Sequence, residues 1–162
     1  MSFIYYTQSK LVFGVGSQNQ LEALLRENAA TSILLVYSGD YVFDLGIHDV
    51  INQAARNIGA NLIENGDVVP NPHIDLVRNL IDQARAADVD FILAVGGASS
   101  FDTAKAVGVG LEYDGDVWDL FTGVAEPQSS VSVGVISTIP GSGSEVSDCA
   151  VLQQGHDKRA LE

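Results

Sequence analysis

The chain has 162 residues, 46% hydrophobic and 18% charged, with a formal net charge of −13. Its length and apolar content suffice for a sizeable core. Its acidic balance excludes nucleic acid and anionic membrane surfaces as partners, because both select basic surfaces. A phosphate-bearing ligand would have to be held by backbone amides and local dipoles. The single cysteine, Cys149, excludes an intrachain disulfide and is compatible with a reducing cytoplasm. Met1-Ser2-Phe3-Ile4-Tyr5-Tyr6 lacks the basic and long apolar segments of a signal peptide. No apolar run approaches the roughly 18 residues that would span a membrane.

In chain order, Leu11-Val12-Phe13-Gly14 reads as a short strand. Ser17 or Asn19 is placed to cap a helix carrying Leu21, Leu24 and Leu25 on one face. Ser32-Ile33-Leu34-Leu35-Val36-Tyr37 is a buried strand ending at Ser38-Gly39-Asp40. Val50, Ile51, Ala54 and Ile58 then follow helical spacing, with Gly59 as the stop signal. Residues 60–64 form a short strand. Asn71 is a candidate N-cap, with Pro72 at the first helical position and Ile74, Val77, Leu80, Ile81 and Ala84 as the apolar stripe. Residues 91–95 are a buried strand, followed by a glycine turn and a helix through roughly Leu111. Residues 131–137 are a further apolar strand, which runs into a Pro140-Gly141-Ser142-Gly143-Ser144 loop.

Continuous apolar strands alternating with amphipathic helices predict an α/β fold: a Rossmann-like parallel sheet with helices on both faces. Ligands of such sheets bind at the carboxyl ends of the strands. The loops at 38–40, 96–102 and 138–144 are therefore expected to converge there. The turn Gly96-Gly97-Ala98-Ser99-Ser100 ends a strand and opens a helix, where unpaired amides and the dipole suit a phosphate. Alone, it is read equally well as a tight connection capped by Ser99 or Ser100. Neither Gly-x-Gly-x-x-Gly nor a Walker pattern is present. Asp102 falls in the first helical turn, where it caps the dipole, touches sugar hydroxyls or orients the turn. Asp40 is either a ribose-binding carboxylate or a turn aspartate. Lys105 reads as a surface or sheet-edge cation and Cys149 as core packing. His48, His73 and His156 have no metal-site spacing.

Several segments together resemble the iron-containing (group III) alcohol dehydrogenase superfamily. Residues 96–105 are similar to its Gly-Gly-Gly-Ser-x-x-Asp-x-Ala-Lys, and residues 138–145 to its Thr-x-x-x-Thr-Gly-Ser-Glu. Val69-Pro70-Asn71-Pro72 resembles its Pro-Asn-Pro helix start. Asp114-Gly115-Asp116-Val117-Trp118-Asp119-Leu120-Phe121 and Asp157-Lys158-Arg159-Ala160-Leu161 resemble its butanol dehydrogenase and broad aldehyde reductase branch.

The resemblance implies that residues 1–162 are the nucleotide-binding domain, and that the helical domain supplying the metal ligands is absent. It implies NAD or NADP as cofactor, a divalent iron or zinc in the intact protein, and a small alcohol or aldehyde substrate. It places the diphosphate on Gly96, Gly97, Ala98 and Ser99, with Asp102 in the same signature. Thr138, Ile139 and Ser142 line the nicotinamide side. Ser147 stands where relatives carry Asn, and Lys158 where they carry a lysine near the nicotinamide ribose. The loop Ser38-Gly39-Asp40 departs from the Gly-Gly-Gly-Ser that accepts a 2′-phosphate in close relatives, which favours NAD and leaves NADP open. Ala98 replaces a glycine and Ser142 a threonine. The alternatives are a polyol dehydrogenase on the same architecture and a non-catalytic nucleotide-binding module. Helices made to pack on an absent domain would expose apolar surface. The chain is accordingly expected to self-associate, as a homo-oligomer in gel filtration, or to be marginally stable. A monodisperse, stable monomer would count against this expectation.

Overall fold

A computed structural model describes residues 9–161. The segment Met1–Tyr6, read above for a signal peptide, lies outside those residues.

The elements in order are α1 (Leu21–Glu27), β1 (Ser32–Tyr37), α2 (Tyr41–Asp44), α3 (Ile47–Ile58), β2 (Asn61–Asn65), α4 (Ile74–Ala86), β3 (Phe91–Gly96), α5 (Ala98–Leu111), α6 (Val117–Thr122), β4 (Ser132–Ser137), β5 (Ala150–Gln154) and β6 (Asp157–Leu161). Strands β2-β1-β3-β4 form a parallel sheet, while β5 and β6 form a separate antiparallel hairpin. Ile33 pairs with Phe91 across the centre of the sheet, and Phe91 pairs with Ser132.

Period-two alternation divides the central strands between two cores. Ile33, Leu35, Phe91, Leu93 and Val95 pack with Leu21 and Leu25 of α1 and with Ile51, Ala54 and Ala55 of α3. Leu34, Val36, Ile92 and Ala94 face the stripe of α4 and Phe101, Ala104 and Val107 of α5. Both faces of the sheet are thus covered, as the continuous apolar strands predict. The α4 stripe is buried at every position expected of it: Ile74, Val77, Leu80, Ile81 and Ala84. Burying each of these aliphatic side chains, alanine apart, contributes about 1.5–3 kcal/mol.

Several local expectations are corrected. Residues 11–14 form no strand: among the described residues they pair with none, and Leu11 and Phe13 are exposed. Ser17–Gln20 is a 3-10 turn leading into α1, with no side-chain cap from Ser17 or Asn19. His73, not Asn71, occupies the N-cap of α4, and Asn71 sits at a left-handed φ of 57°. This conformation carries the chain around the Pro-Asn-Pro corner, and asparagine tolerates it better than most residues do. Helix α6 was not foreseen, although its signals are present. Asp116 Oδ1 accepts from Trp118 N at 2.8 Å, and Gly123 ends the helix at φ 74°. The β5–β6 hairpin turns at Gly155-His156, with Gly155 at φ 59°.

Asp90 ties the entry of β3 to that of β1. Its carboxylate accepts the backbone amides of Thr31 and Ser32 at 3.0 Å and the hydroxyl of Thr31. Partial burial raises its pKa, but these donors outweigh burial and hold it below the ordinary value of 3.8. A carboxylate whose folded pKa is depressed contributes stability above its unfolded pKa and loses it as pH falls through the folded one. Asp90→Asn is therefore expected to lower the urea midpoint at neutral pH. The gap from wild type should close as pH falls below 3.8. A gap independent of pH would refute this role.

Candidate functional site

Parallel strands send all their carboxyl ends to one edge of the sheet. In the order β2-β1-β3-β4, β1 and β3 are the neighbours from which the chain winds in opposite directions. A crevice is expected at such a switch point, and a cleft of about 500 Å³ lies there. Ser38 follows β1, Val69 and Pro70 follow β2, residues 97–100 follow β3, and residues 139–142 follow β4, and all of them line it. The convergence expected from topology is present. Among the described residues no lysine or arginine lines the cleft.

The floor is the turn after β3. Gly96 has φ 140°, a region that side chains rarely adopt. A Cβ there would lie 2.7 Å from Ser100 Oγ and 2.9 Å from Tyr41 Oη. Helix α5 then begins at Ala98 with Gly97 as N-cap, no side-chain cap and no acidic residue in its first turn. The first-turn amides of Ala98 and Ser99 have no intrahelical acceptor. Neither Ser99 nor Ser100 caps the helix, so no side chain occupies those amides. A glycine cradle, free amides and an uncapped dipole fit a phosphate group. The same residues do not fit a metal: among the described residues no group of three or more His, Cys, Asp or Glu could hold one.

Asp102 lies beyond the first turn, so it does not cap the dipole. It is 9% exposed and sits behind the turn. Its Oδ1 accepts from Ser144 Oγ at 2.8 Å, and its Oδ2 accepts from Val151 N at 3.2 Å. Lys105, one helical turn on, is not a surface cation. It donates to Ser144 Oγ at 2.8 Å and to the Cys149 carbonyl at 2.6 Å. Its burial pulls the ammonium below the ordinary lysine value, against the opposing attraction of Asp102 and its acidic neighbours. The Ser144 hydroxyl thus accepts from the ammonium and donates to the carboxylate. This tie fastens the loop after β4 to α5, and with it the wall formed by Ile139 and Ser142.

The remaining predicted residues lie around the cleft or apart from it. Thr138 N donates to the Gly96 carbonyl at 2.9 Å, joining the two loops at their bases. Gly39 and Asp40 are exposed at the start of α2. Ser147 Oγ accepts from Cys149 N at 3.0 Å and turns the chain into β5. Lys158, on β6, donates to Asn71 Oδ1 at 2.9 Å, beside the Pro70 wall. Sequence reasoning missed Tyr41, whose Oη lies 3.5 Å from Thr138 Oγ1. No spacing or motif marks it. It also misread Lys105, because the partners of that lysine are on loops brought in by β4 and β5.

The profile of the iron-containing alcohol dehydrogenases matches residues 8–162. The chain belongs to this family. It is 37% identical over 153 residues to the probable NADH-dependent butanol dehydrogenase 2 of Bacillus subtilis (strain 168), covering 93% of this chain and 38% of that protein. It is 30% identical over 156 residues to the NADPH-dependent aldehyde reductase of Escherichia coli (strain K12), covering 94% of this chain and 39% of that one. The crystal structure of NADH-dependent butanol dehydrogenase A from Thermotoga maritima superposes with a TM-score of 0.94 at 28% identity, covering 99% of this chain and 41% of that one. The chain thus spans about two-fifths of the length of the relatives it matches.

Ser144→Ala would leave Asp102 Oδ1 without its donor in a largely buried place. A loss of about 1–3 kcal/mol is expected by urea unfolding. Ser142→Ala, which removes only an exposed hydroxyl that accepts from Ser144 N at 3.2 Å, should cost less. Equal effects would show that the tie at Ser144 has no special weight.

Proposed function

We propose that this chain binds the dinucleotide of an alcohol–aldehyde oxidoreductase and sets the position of its nicotinamide. The observation that carries this reading is the cleft at the β1–β3 switch point, floored by Gly96 and the free amides of α5. Family membership supports the reaction class, and the relatives named above carry butanol dehydrogenase and aldehyde reductase in their names. When bound, the nicotinamide would exchange a hydride with the carbinol or carbonyl carbon of a small substrate.

In this reading the amides of Ala98 and Ser99 donate to the diphosphate, and Gly96 and Gly97 let the backbone approach it. Ala98 adds a methyl where relatives carry glycine, narrowing that approach. Ser38, Gly39 and Asp40 face the adenosine ribose, where the Asp40 carboxylate accepts from sugar hydroxyls. Thr138, Ile139 and Ser142 form the nicotinamide wall, with Asp102 holding that wall in place. Ser147 and Lys158 stand at the nicotinamide ribose end. The family resemblance places the metal ligands outside these residues, and in this reading the chain by itself is assigned cofactor binding and no appreciable dehydrogenase activity. The working protein is assigned a homo-oligomeric state in the cytoplasm. Among the described residues no helix is long and apolar enough to cross a membrane.

Asp40 decides the choice of cofactor. A 2′-phosphate beside its carboxylate costs on the order of 1 kcal/mol or more, about fivefold in affinity. Fluorescence titration should give NADH binding at least about fivefold tighter than NADPH binding, and Asp40→Ser should narrow the gap. Tighter NADPH binding by wild type would reverse the cofactor assignment. Turnover of butanal by the purified chain with added Fe²⁺ or Zn²⁺ would overturn the assignment of binding without catalysis.

A further inference from the structure

Two hydroxyls, one from the first turn of α5 and one from the start of α2, lie around the place where Gly96 lacks a side chain. Ser100 Oγ and Tyr41 Oη lie 2.7 and 2.9 Å from the point a Gly96 Cβ would occupy. Thr138 Oγ1 lies 3.5 Å from Tyr41 Oη. Ser100 is 1% exposed, and its Oγ has no hydrogen-bond partner. A buried hydroxyl without a partner is destabilising, and folded proteins keep few of them. Two hydroxyls nearby are paired. Thr103 Oγ1 donates to the Ser99 carbonyl at 2.8 Å, and Ser144 Oγ lies in the tie to Asp102. Ser100 could have satisfied itself in the same way by bonding back into its helix, yet its Oγ is aimed at the glycine turn.

We propose that Ser100 and Tyr41 are phosphate-binding residues, whose hydroxyls donate together to one oxygen of the dinucleotide diphosphate. This rests on the dinucleotide reading above and adds side-chain donors to the backbone amides. The chemistry selects an anionic oxygen. A phosphate oxygen only accepts, and both hydroxyls are free to donate to it. Among the described residues the cleft has no lysine or arginine to neutralise a diphosphate, so charge-assisted hydrogen bonds from neutral donors take that part. Gly96 lets both hydroxyls come this close to the turn, because a Cβ at this position would clash with them.

The test pairs binding with stability, using NADH, adenosine and the full chain. Ser100→Ala and Tyr41→Phe are each expected to weaken NADH binding about tenfold in calorimetry. Adenosine, which has no phosphate, should bind wild type and variants alike in saturation-transfer NMR. Ser100→Ala should unfold at the same or a higher urea concentration than wild type, since it removes an unpaired buried hydroxyl. An unchanged NADH affinity in both variants, with wild type binding normally, overturns this proposal alone. So does a joint loss of NADH binding, adenosine binding and stability, which would mark a packing role. Failure of wild type to bind NADH overturns the dinucleotide reading, and this proposal with it.

Discussion

Parallel pairing of β1 with β3 is the constraint on which the rest of the molecule depends. Because β1 and β3 run the same way with Ile33 opposite Phe91, the loops that follow them emerge side by side. The chain then winds outward to β2 in one direction and to β4 in the other. Each crossover lays helices on the sheet and closes one of the two apolar cores. The cleft is what remains at the edge where the helices diverge. Its position follows from strand direction and does not require any particular side chain within it.

Shape at that edge comes from polar contacts behind the cleft. Asp102 and Lys105 are one turn apart on α5, and both reach the Ser144 hydroxyl. Helical geometry places such residues on one face, and here that face meets the loop after β4 and the β5–β6 hairpin. The carboxylate also accepts Val151 N, and the ammonium donates to the Cys149 carbonyl. One acid and one base therefore hold a loop that has little apolar surface of its own. This arrangement explains why a strongly acidic chain keeps a partly buried lysine. The cation is surrounded by acceptors, and its charge is used for structure instead of for ligand attraction.

Much of the fold is legible in the sequence because its signals are local. Apolar strand runs, the α4 stripe and the stop at Gly59 each depend on the chemistry of neighbouring residues. Where a local signal competed with a tertiary one, the tertiary one prevailed. Asn71 has the chemistry of an N-cap, but the Pro-Asn-Pro corner takes it into the left-handed region, where its side-chain Oδ1 accepts from Lys158. Lys105 has the look of a solvated residue until the hairpin after β4 folds over it. The hairpin and α6 were legible in Gly155, Asp116 and Gly123, but short elements carry too little periodicity to stand out.

The sequence by itself determined the class of the fold, the strand-to-helix turn at Gly96 and the resemblance through which the family was first read. These follow from backbone conformational preference and hydrophobic period, which act over a few residues. Only the tertiary structure decided which residues share the cleft. It brought Ser38, Ser99, Ile139 and Ser142 together and turned Asp102 inward. It also set Tyr41, which no sequence spacing connects to Gly96, beside that glycine and Ser100. The physical reason is that hydrogen bonds between distant loops depend on where the sheet delivers those loops, and no local pattern encodes that delivery.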